Sequence, residues 1–262
     1  MTGRLALALV CTAGCRQLLG IDDAIEDDAP MPDAGEEPTL STGCAVIAHM
    51  DEPAWTGAKG EVIDECGGDN HGTADMGLTT VAGGVRGRAG SFNGTGCVRI
   101  DDAPVLHATR GLTMSAWIKP AALNGVDAFG IVSKRIDTGV MSAYNVYVWT
   151  GNKVYVDLDG ENDRFSGQRQ IANDKWAQIT VVYSGDVAPA ERVRVYVDGA
   201  LDVVATETSP ALPAFTSPLL LGCLPSSVAV QNFIGLLDEV VVWTRPLAPA
   251  EVAAWYAQTR PL

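Results

Sequence analysis

Two adjacent carboxylates, Asp238 and Glu239, lie in the segment FIGLLDEVVVW and are the first candidates for chemistry. A pair of carboxyl groups can hydrolyse a glycosidic bond when both face one cleft, roughly 5 to 9 Å apart. The flanking residues are apolar and β-branched, which predicts a strand. Because adjacent residues of a strand point to opposite faces, we expect the two carboxylates to diverge. We assign Asp238 a structural or metal-linked role and not a catalytic one.

Other catalytic patterns are missing from the sequence. The histidines are His49, His71 and His107, and no Gly-x-Ser-x-Gly motif is present to position a nucleophilic serine. The glycine-rich segment 83–94 carries neither a Lys-Ser/Thr pair nor a Gly-x-Gly-x-x-Gly motif, so it does not predict a phosphate loop. We therefore expect a protein that is not an enzyme.

Aromatic side chains are the better candidates for ligand binding. Tyr147 and Trp149 share one face of a predicted strand, and Tyr155 lies on the predicted hairpin partner. The polar segment 157–170 predicts a rim, where Arg164 could contact an acidic sugar or a protein. The rings could instead fill the core, because aromatic residues make up 6% of the chain.

The elements that must position these residues are short β-type runs separated by turn residues, a pattern typical of a β-sandwich. Gly151-Asn152 and Asp198-Gly199 predict two-residue hairpin turns between alternating strands. The segment 247–259 predicts one helix, beginning near Pro249. Its apolar residues recur at helical spacing, so one face should pack on the sheets.

The first fifteen residues combine Arg4, a short apolar run and small residues before Cys15. The run is typical of a secretory signal, and the ending Thr12-Ala13-Gly14-Cys15 resembles the lipobox of bacterial lipoproteins. This resemblance implies that Cys15 is lipidated and anchors the protein to a membrane. An ordinary secretory signal is the alternative.

Residues 22–37 carry eight acidic residues and no basic one, which predicts that 16–38 is a disordered acidic tether. The chain as a whole has a formal net charge of −14, which argues against a nucleic-acid partner. We expect three parts: a signal over 1–15, the tether over 16–38 and one folded domain over 39–262. The predicted location is the bacterial cell envelope, at the outer membrane or cell surface more than at the inner membrane. Secretion is the alternative.

Four cysteines remain once Cys11 and Cys15 are assigned to the signal and the anchor: Cys44, Cys66, Cys97 and Cys223. None forms a Cys-x-x-Cys motif, so they indicate two disulfides in an oxidising compartment, with three possible pairings. We expect Cys44–Cys66, closing a local loop, and Cys97–Cys223, joining two strands distant in sequence.

From residue 40 to residue 260 the sequence resembles the LamG-like jelly-roll domains of the concanavalin A-like lectin/glucanase superfamily. The resemblance rests on pieces that occur in the order of the family: HMDEPAW, VIDECGGDNHGTA, GRAGSFNGTGCVRI, LTMSAWIKP, AYNVYVW, KWAQITVVYSG, RVRVYVDGALD and FIGLLDEVVVWTRPLAPAEVAAWY. It implies an all-β fold, a two-sheet antiparallel jelly-roll sandwich with a short C-terminal helix.

The resemblance also implies a Ca²⁺ ion at the rim of the sandwich, because such domains often hold one. Oxygen ligands suited to calcium occur in matching places, namely Asp51, Asp64, Asn70 and Asp238. Glucanases of the superfamily place their catalytic carboxylates alternately on one strand. The segment EVIDE (61–65) comes nearest, but there Asp64 would face away from Glu61 and Glu65.

The function that these observations predict is a non-enzymatic envelope lipoprotein whose LamG-like domain binds a carbohydrate or an envelope protein. A module that acts only through protein–protein contact is the alternative, followed by a glycoside hydrolase.

Overall fold

A computed structural model describes residues 40–135, 142–158, 163–225 and 231–261. Residues from Thr39 to Leu262 form one compact unit. The predicted signal, the lipidation site Cys15 and the tether over 16–38 lie outside the described residues. In the described ranges, none of the helices combines the length and apolar character needed to cross a membrane.

Over the described ranges the chain forms seventeen strands and one α-helix, α1 (Pro249–Thr259). The strands are β1 (Cys44–Ala48), β2 (Gly72–Ala74), β3 (Thr79–Ala82), β4 (Arg88–Asn93), β5 (Val98–Ile100), β6 (Gly111–Pro120), β7 (Phe129–Arg135), β8 (Ser142–Trp149), β9 (Lys153–Leu158), β10 (Asp163–Gln170), β11 (Ala177–Ser184), β12 (Val193–Val197), β13 (Ala200–Ala205), β14 (Leu219–Leu221), β15 (Cys223–Leu224), β16 (Gln231–Asn232) and β17 (Ile234–Trp243).

Two antiparallel sheets pack face to face, which confirms the predicted jelly-roll sandwich. In the described residues the eight-stranded sheet has the order β13-β12-β11-β6-β17-β4-β3, with β1 also pairing to β17. The seven-stranded sheet has the order β10-β9-β8-β7-β14-β5-β2. Short β15 and β16 pair with each other. Strands distant in sequence are neighbours, so the sandwich is held by long-range pairing.

Alternation along the central strands explains where the core lies. On β6, Leu112 and Met114 point into the main core between the sheets, while Trp117 points to the outer side. Every residue of β11 is buried, because the core covers one of its faces and α1 lies over the other side of the same sheet. Alternating residues of β6 therefore face opposite sides of the sheet.

Helix α1 packs on the outer side of the eight-stranded sheet. Val252 and Trp255 are buried there against Trp243 and Val241, and Tyr256 stacks on Trp117 with ring centroids 5.7 Å apart. The Glu251 carboxylate accepts a hydrogen bond from the Ala248 backbone N–H, which satisfies a donor at the helix start. The predicted helix and its apolar face are confirmed.

The two expected hairpins differ in their loops. Asp198 and Gly199 both have positive φ, 53° and 71°, and join β12 directly to β13 as a two-residue turn. Between β8 and β9, Trp149 pairs with Lys153, so the loop has three residues. Our prediction of a two-residue turn at Gly151-Asn152 was therefore wrong by one residue, Thr150.

Both disulfides form with the expected pairing. Cys44 is bonded to Cys66, 22 residues away, and Cys97 is bonded to Cys223, 126 residues away. The first closes the segment between β1 and β2. The second joins the start of β5 to β15.

Candidate functional site

Three aromatic residues predicted to bind ligand meet on the outer face of the seven-stranded sheet. Alternation on β8 sends Tyr144, Val146 and Val148 into the core. Tyr147 and Trp149 therefore emerge on the opposite face. Tyr155 of β9 lies directly beside Tyr147, because the two residues are register partners.

The three rings form one cluster, which we call the aromatic cluster. Tyr147 and Tyr155 stack at 5.8 Å between centroids, and Trp149 meets Tyr155 edge to face at 5.2 Å. The Trp149 indole N–H donates to the Val126 carbonyl at 2.8 Å, which fixes the indole against a loop. Tyr147 is buried, whereas Trp149 and Tyr155 are half-buried and present ring surface at the outer face.

A row of polar residues lies beside these rings on the same face of the sheet, two residues away along β8 and β9. Ser133, Asn145 and Asp157 are register partners across β7, β8 and β9, and all three are buried. The Ser133 hydroxyl donates to Asn145 Oδ1 at 2.6 Å. Asn145 Nδ2 is buried and has no hydrogen-bond partner among the described residues.

Sequence reasoning missed this polar row, although alternation on β8 and β9 could have found it. Asn145 and Asp157 each lie two residues from a cluster tyrosine on the same strand, so they share its face. Arg164, which we predicted to contact the ligand, lies on β10 as the register partner of Asp157. The side chain of Arg164 lies outside the described part of the chain.

Two of the four predicted calcium ligands, Asp64 and Asn70, brace the segment before β2. Asp64 is buried and accepts hydrogen bonds from the backbone N–H groups of Ile47, Cys66 and Asn70. The Asn70 side-chain amide donates to the Ala45 carbonyl at 2.9 Å.

The other two, Asp51 and Asp238, hold the turn before β4. Asp51 accepts a hydrogen bond from the Arg88 backbone N–H at 2.6 Å. Asp238 is fully buried, and its Oδ2 accepts from the backbone N–H groups of Val85 and Arg86. Burial raises the pKa of Asp238 to about 7, and the charge of neighbouring Glu239 acts in the same direction.

The four residues thus form two pairs, each bonded to its own loop by backbone N–H donors. The positive end of each N–H dipole points at a carboxylate oxygen. A bound cation would need the same oxygens as ligands. Among the described residues, no three His, Cys, Asp or Glu side chains are grouped so that they could hold a metal ion. Calcium binding by these four residues stays a prediction.

The segment EVIDE does not form the strand on which a glucanase-like arrangement depends. Only Val62 forms an isolated bridge, with Gly72. The Glu61 carboxylate accepts hydrogen bonds from the backbone N–H groups of Thr56 and Gly57. Glu61 therefore stabilises a turn, and the face shared with Glu65 that we derived from strand alternation was wrong.

Strand alternation also fails at Asp238 and Glu239. The register of β17 with β6 shifts between Asp238 and Val241, and Glu239 has φ of 50°, so it is the extra residue of a β-bulge. Asp238 pairs with Trp117, and Glu239 lines a cavity with Trp255. Both carboxylates therefore lie on the helix side of the sheet, and our expectation that they point to opposite faces was wrong.

Glu239 meets His49, which sequence reasoning did not connect with it. His49 Nδ1 lies 3.0 Å from Glu239 Oε2, and this hydrogen bond raises the pKa of His49 above its usual value despite the opposing effect of burial. No spacing signal joins the two residues, because His49 follows β1 and Glu239 lies near the end of the chain.

Comparison with known proteins agrees with the sandwich. The family model described as the concanavalin A-like lectin/glucanases superfamily matches residues 92–253. No curated protein matches the chain in sequence.

Solved structures with the same fold include several binding domains. The binding domain of Paraclostridial Mosquitocidal Protein 1 superposes with a TM-score of 0.64 at 14% identity, covering 84% of this chain and 53% of its own. Domain 4 of AbnA, a GH43 extracellular arabinanase from Geobacillus stearothermophilus in complex with arabinotriose, gives a TM-score of 0.57 at 19% identity, with coverages of 80% and 97%.

The binding domain of botulinum neurotoxin DC, in complex with rat synaptotagmin II, gives a TM-score of 0.56 at 8% identity, with coverages of 85% and 53%. The chain thus spans about half the length of the toxin binding domains it matches. At these identities the likeness establishes the fold.

Proposed function

Because the chain belongs to the concanavalin A-like lectin/glucanases superfamily, we propose that its sandwich is a non-catalytic module that binds a glycan on the aromatic cluster. The observation that carries this proposal is the gathering of Tyr147, Trp149 and Tyr155 on the outer face of the seven-stranded sheet. Sugar rings have apolar C–H faces, and they bind where aromatic rings are flanked by a few polar groups.

The polar row supports the same assignment. In the described part of the chain, Asn145 Nδ2 is a buried donor without a hydrogen-bond partner, and leaving a buried donor unsatisfied costs about 1 to 3 kcal/mol. Asn145 is fully buried, so a sugar hydroxyl would accept that hydrogen bond once the side chains that cover Asn145 move aside. The AbnA domain, which has the same fold, is in complex with arabinotriose, which supports a carbohydrate as the ligand class.

A binding role is supported over a catalytic one by two observations. The similar structures named above are binding domains or, in AbnA, a domain in complex with arabinotriose. The carboxylate nearest to the glucanase pattern, Glu61, is occupied by backbone N–H groups. The superfamily also contains glycoside hydrolases, so hydrolysis is to be assayed alongside binding.

The test is a glycan array probed with the full chain carrying Cys15→Ser, once with calcium and once with a chelator. We expect retention on a defined set of glycans, reduced at least about fivefold by Trp149→Ala or Tyr155→Ala, since stacking on an aromatic ring contributes on the order of 1 kcal/mol or more. Tyr256→Ala is the matched control, because Tyr256 is also a half-buried stacked ring but lies on α1.

Retention that survives both cluster substitutions would contradict the assignment to the aromatic cluster. A blank array from folded protein would favour protein–protein contact instead. Loss of retention with chelator alone would support the predicted calcium ion.

We also propose that the module is displayed on the bacterial envelope through lipid at Cys15. The lipobox-like ending and the acidic segment after it support this proposal. Membrane fractionation of cells that express the chain tests it: Cys15→Ser should move the protein from the membrane fraction to the soluble fraction. An unchanged distribution would favour the ordinary secretory signal.

A further inference from the structure

A cavity of about 610 Å³ lies on the helix side of the eight-stranded sheet, on the opposite sheet from the aromatic cluster. Its walls come from three places that the fold brings together: the residues after β1, the bulge of β17 and the helix α1. His49 and Glu239 meet here, with Trp255 beside them. The glycan-binding proposal makes no use of this cavity.

The charge of the lining is acidic. Glu239, Glu65 and Asp51 contribute carboxylates, against the single guanidinium of Arg86 and the imidazole of His49. The environment therefore favours a cation over an anion.

Glu239 supplies the specific feature that points to a ligand. Its side chain is 3% exposed, and its Oε2 bonds to His49. Its other oxygen, Oε1, accepts no hydrogen bond from any residue in the described part of the chain, although Glu239 lines the cavity. Oε1 is open to the cavity and is not one of the buried oxygens, so an ammonium group in the cavity would donate a hydrogen bond to it.

A smaller cavity of about 250 Å³ adjoins the first and has a different character. Both share His49, Glu65 and Trp255, and the smaller one is otherwise lined mainly by apolar groups, including Ile47 and Trp243. One ligand can therefore place a charged end at Glu239 and an apolar stem against the tryptophans.

We propose that the two adjoining cavities together bind a primary ammonium group carried on an apolar alkyl stem, the chemistry of a lysine side chain. The ammonium donates hydrogen bonds to Glu239 Oε1 and meets the Glu65 carboxylate at the mouth. The stem packs along Trp255 and Ile47. A lysine of a protein partner and a free small alkylamine share this chemistry.

The test compares two probes of the same shape on the full chain carrying Cys15→Ser, with a chelator present. Nα-acetyl-lysine methylamide has the ammonium, and Nα-acetyl-norleucine methylamide has an apolar stem alone. By calorimetry or NMR shift titration we expect the lysine probe to bind at least about tenfold more tightly, since a charge-assisted hydrogen bond to a buried carboxylate is among the strong ones. Equal affinities, or no binding of the lysine probe, would overturn the proposal.

Glu239→Gln keeps the shape of the side chain and removes its charge, so it should abolish the preference for the lysine probe. Glu191→Gln, on an exposed turn far in sequence from the cavity, is the matched control and should keep it. An unchanged preference in Glu239→Gln would contradict the assignment to this carboxylate. If Glu239→Gln does not fold, the proposal is still tested by comparing the affinities of the two probes for the chain with native Glu239.

Titration with butylamine distinguishes a free small amine from a lysine of a protein partner as the source of the ammonium group. Affinity equal to that of the lysine probe indicates a free small amine, because the backbone of the probe then contributes nothing. Tighter binding of the lysine probe indicates a lysine on a protein partner.

Discussion

Lys134 carries a charge at a position that alternation on β7 directs inward, and its side chain is fully buried. Its ammonium group donates to the Asp102 carboxylate and to the Ser217 carbonyl. Asp102 also bonds His107, at 3.0 Å. A buried charge is tolerated only when it is paired and hydrogen-bonded, so these partners explain how the sandwich accommodates Lys134.

Removing the ammonium should therefore be costly. Lys134→Met leaves Asp102 without its main partner, and we expect a loss of about 3 kcal/mol in the free energy of unfolding, at the low end for a broken buried pair because Asp102 is partly exposed. Urea unfolding measures it. Lys59→Met is the matched control, since Lys59 meets Asp101 on the surface at 3.8 Å and should change stability little. Equal effects would contradict a buried pair.

Asp102 makes the same network sensitive to acid. Burial raises the pKa of Asp102, but the hydrogen bonds from Lys134 and His107 outweigh burial and lower it below the ordinary 3.8. The ionised carboxylate therefore contributes stability above pH 3.8, and this contribution is lost as the pH falls through the lowered pKa.

We expect the stability difference between the native chain and Asp102→Asn to shrink as the pH falls from 5 to below 3.8. Melting temperatures of both proteins across this range measure it. A difference that does not depend on pH would show that Asp102 acts through packing and not through its charge.

At the scale of single elements, turns and bulges decide which side chains meet. The bulge in β17 turns Glu239 toward the helix side and creates the cavity with His49. The tight turn between β12 and β13 lies against α1. A Cβ on Gly199 would meet the Tyr256 ring of α1 at 2.8 Å. The turn therefore needs glycine for its conformation and for the helix above it.

Gly199 and Gly151 have nearly equal φ, so substituting each of them separates the cost of the backbone conformation from the cost of the contact with Tyr256. Gly199→Ala and Gly151→Ala both place a Cβ on left-handed backbone, at φ of 71° and 70°, but in the described part of the chain only chain neighbours would lie within 4 Å of the Cβ added at Gly151. We expect Gly151→Ala to cost about 1 kcal/mol and Gly199→Ala clearly more, because it also displaces Tyr256. Chemical denaturation measures both, and equal costs would mean that the helix moves away freely.

For the whole molecule, the two disulfides constrain loops of very different length. If a disulfide stabilises by restricting the unfolded chain, the loop closed by Cys97–Cys223 should contribute about 5 kcal/mol and that closed by Cys44–Cys66 about 3 kcal/mol. We compare the paired alanine variants by denaturation under oxidising conditions. The reverse order would show that native packing near Cys44 matters more than loop length.

The sequence by itself determined the features that depend on local pattern. Alternation predicted that Tyr147 and Trp149 share one face of β8, with Tyr155 on the hairpin partner. Asp198-Gly199 predicted its hairpin because few residues accept positive φ at both turn positions. Helical spacing after Pro249 predicted α1. The family pattern predicted the sandwich.

Only the tertiary structure decided the features that depend on an irregularity or on long-range pairing. One extra residue in β17 reverses the face of Glu239, and alternation cannot reveal such a bulge because it is set by pairing with β6. The segment around Glu61 and Glu65 has a strand-like pattern but no full partner strand, so it becomes a loop. His49 and Glu239 meet for the same reason that β1 and β17 pair: the sheet joins the two ends of the domain, and sequence spacing carries no record of that contact.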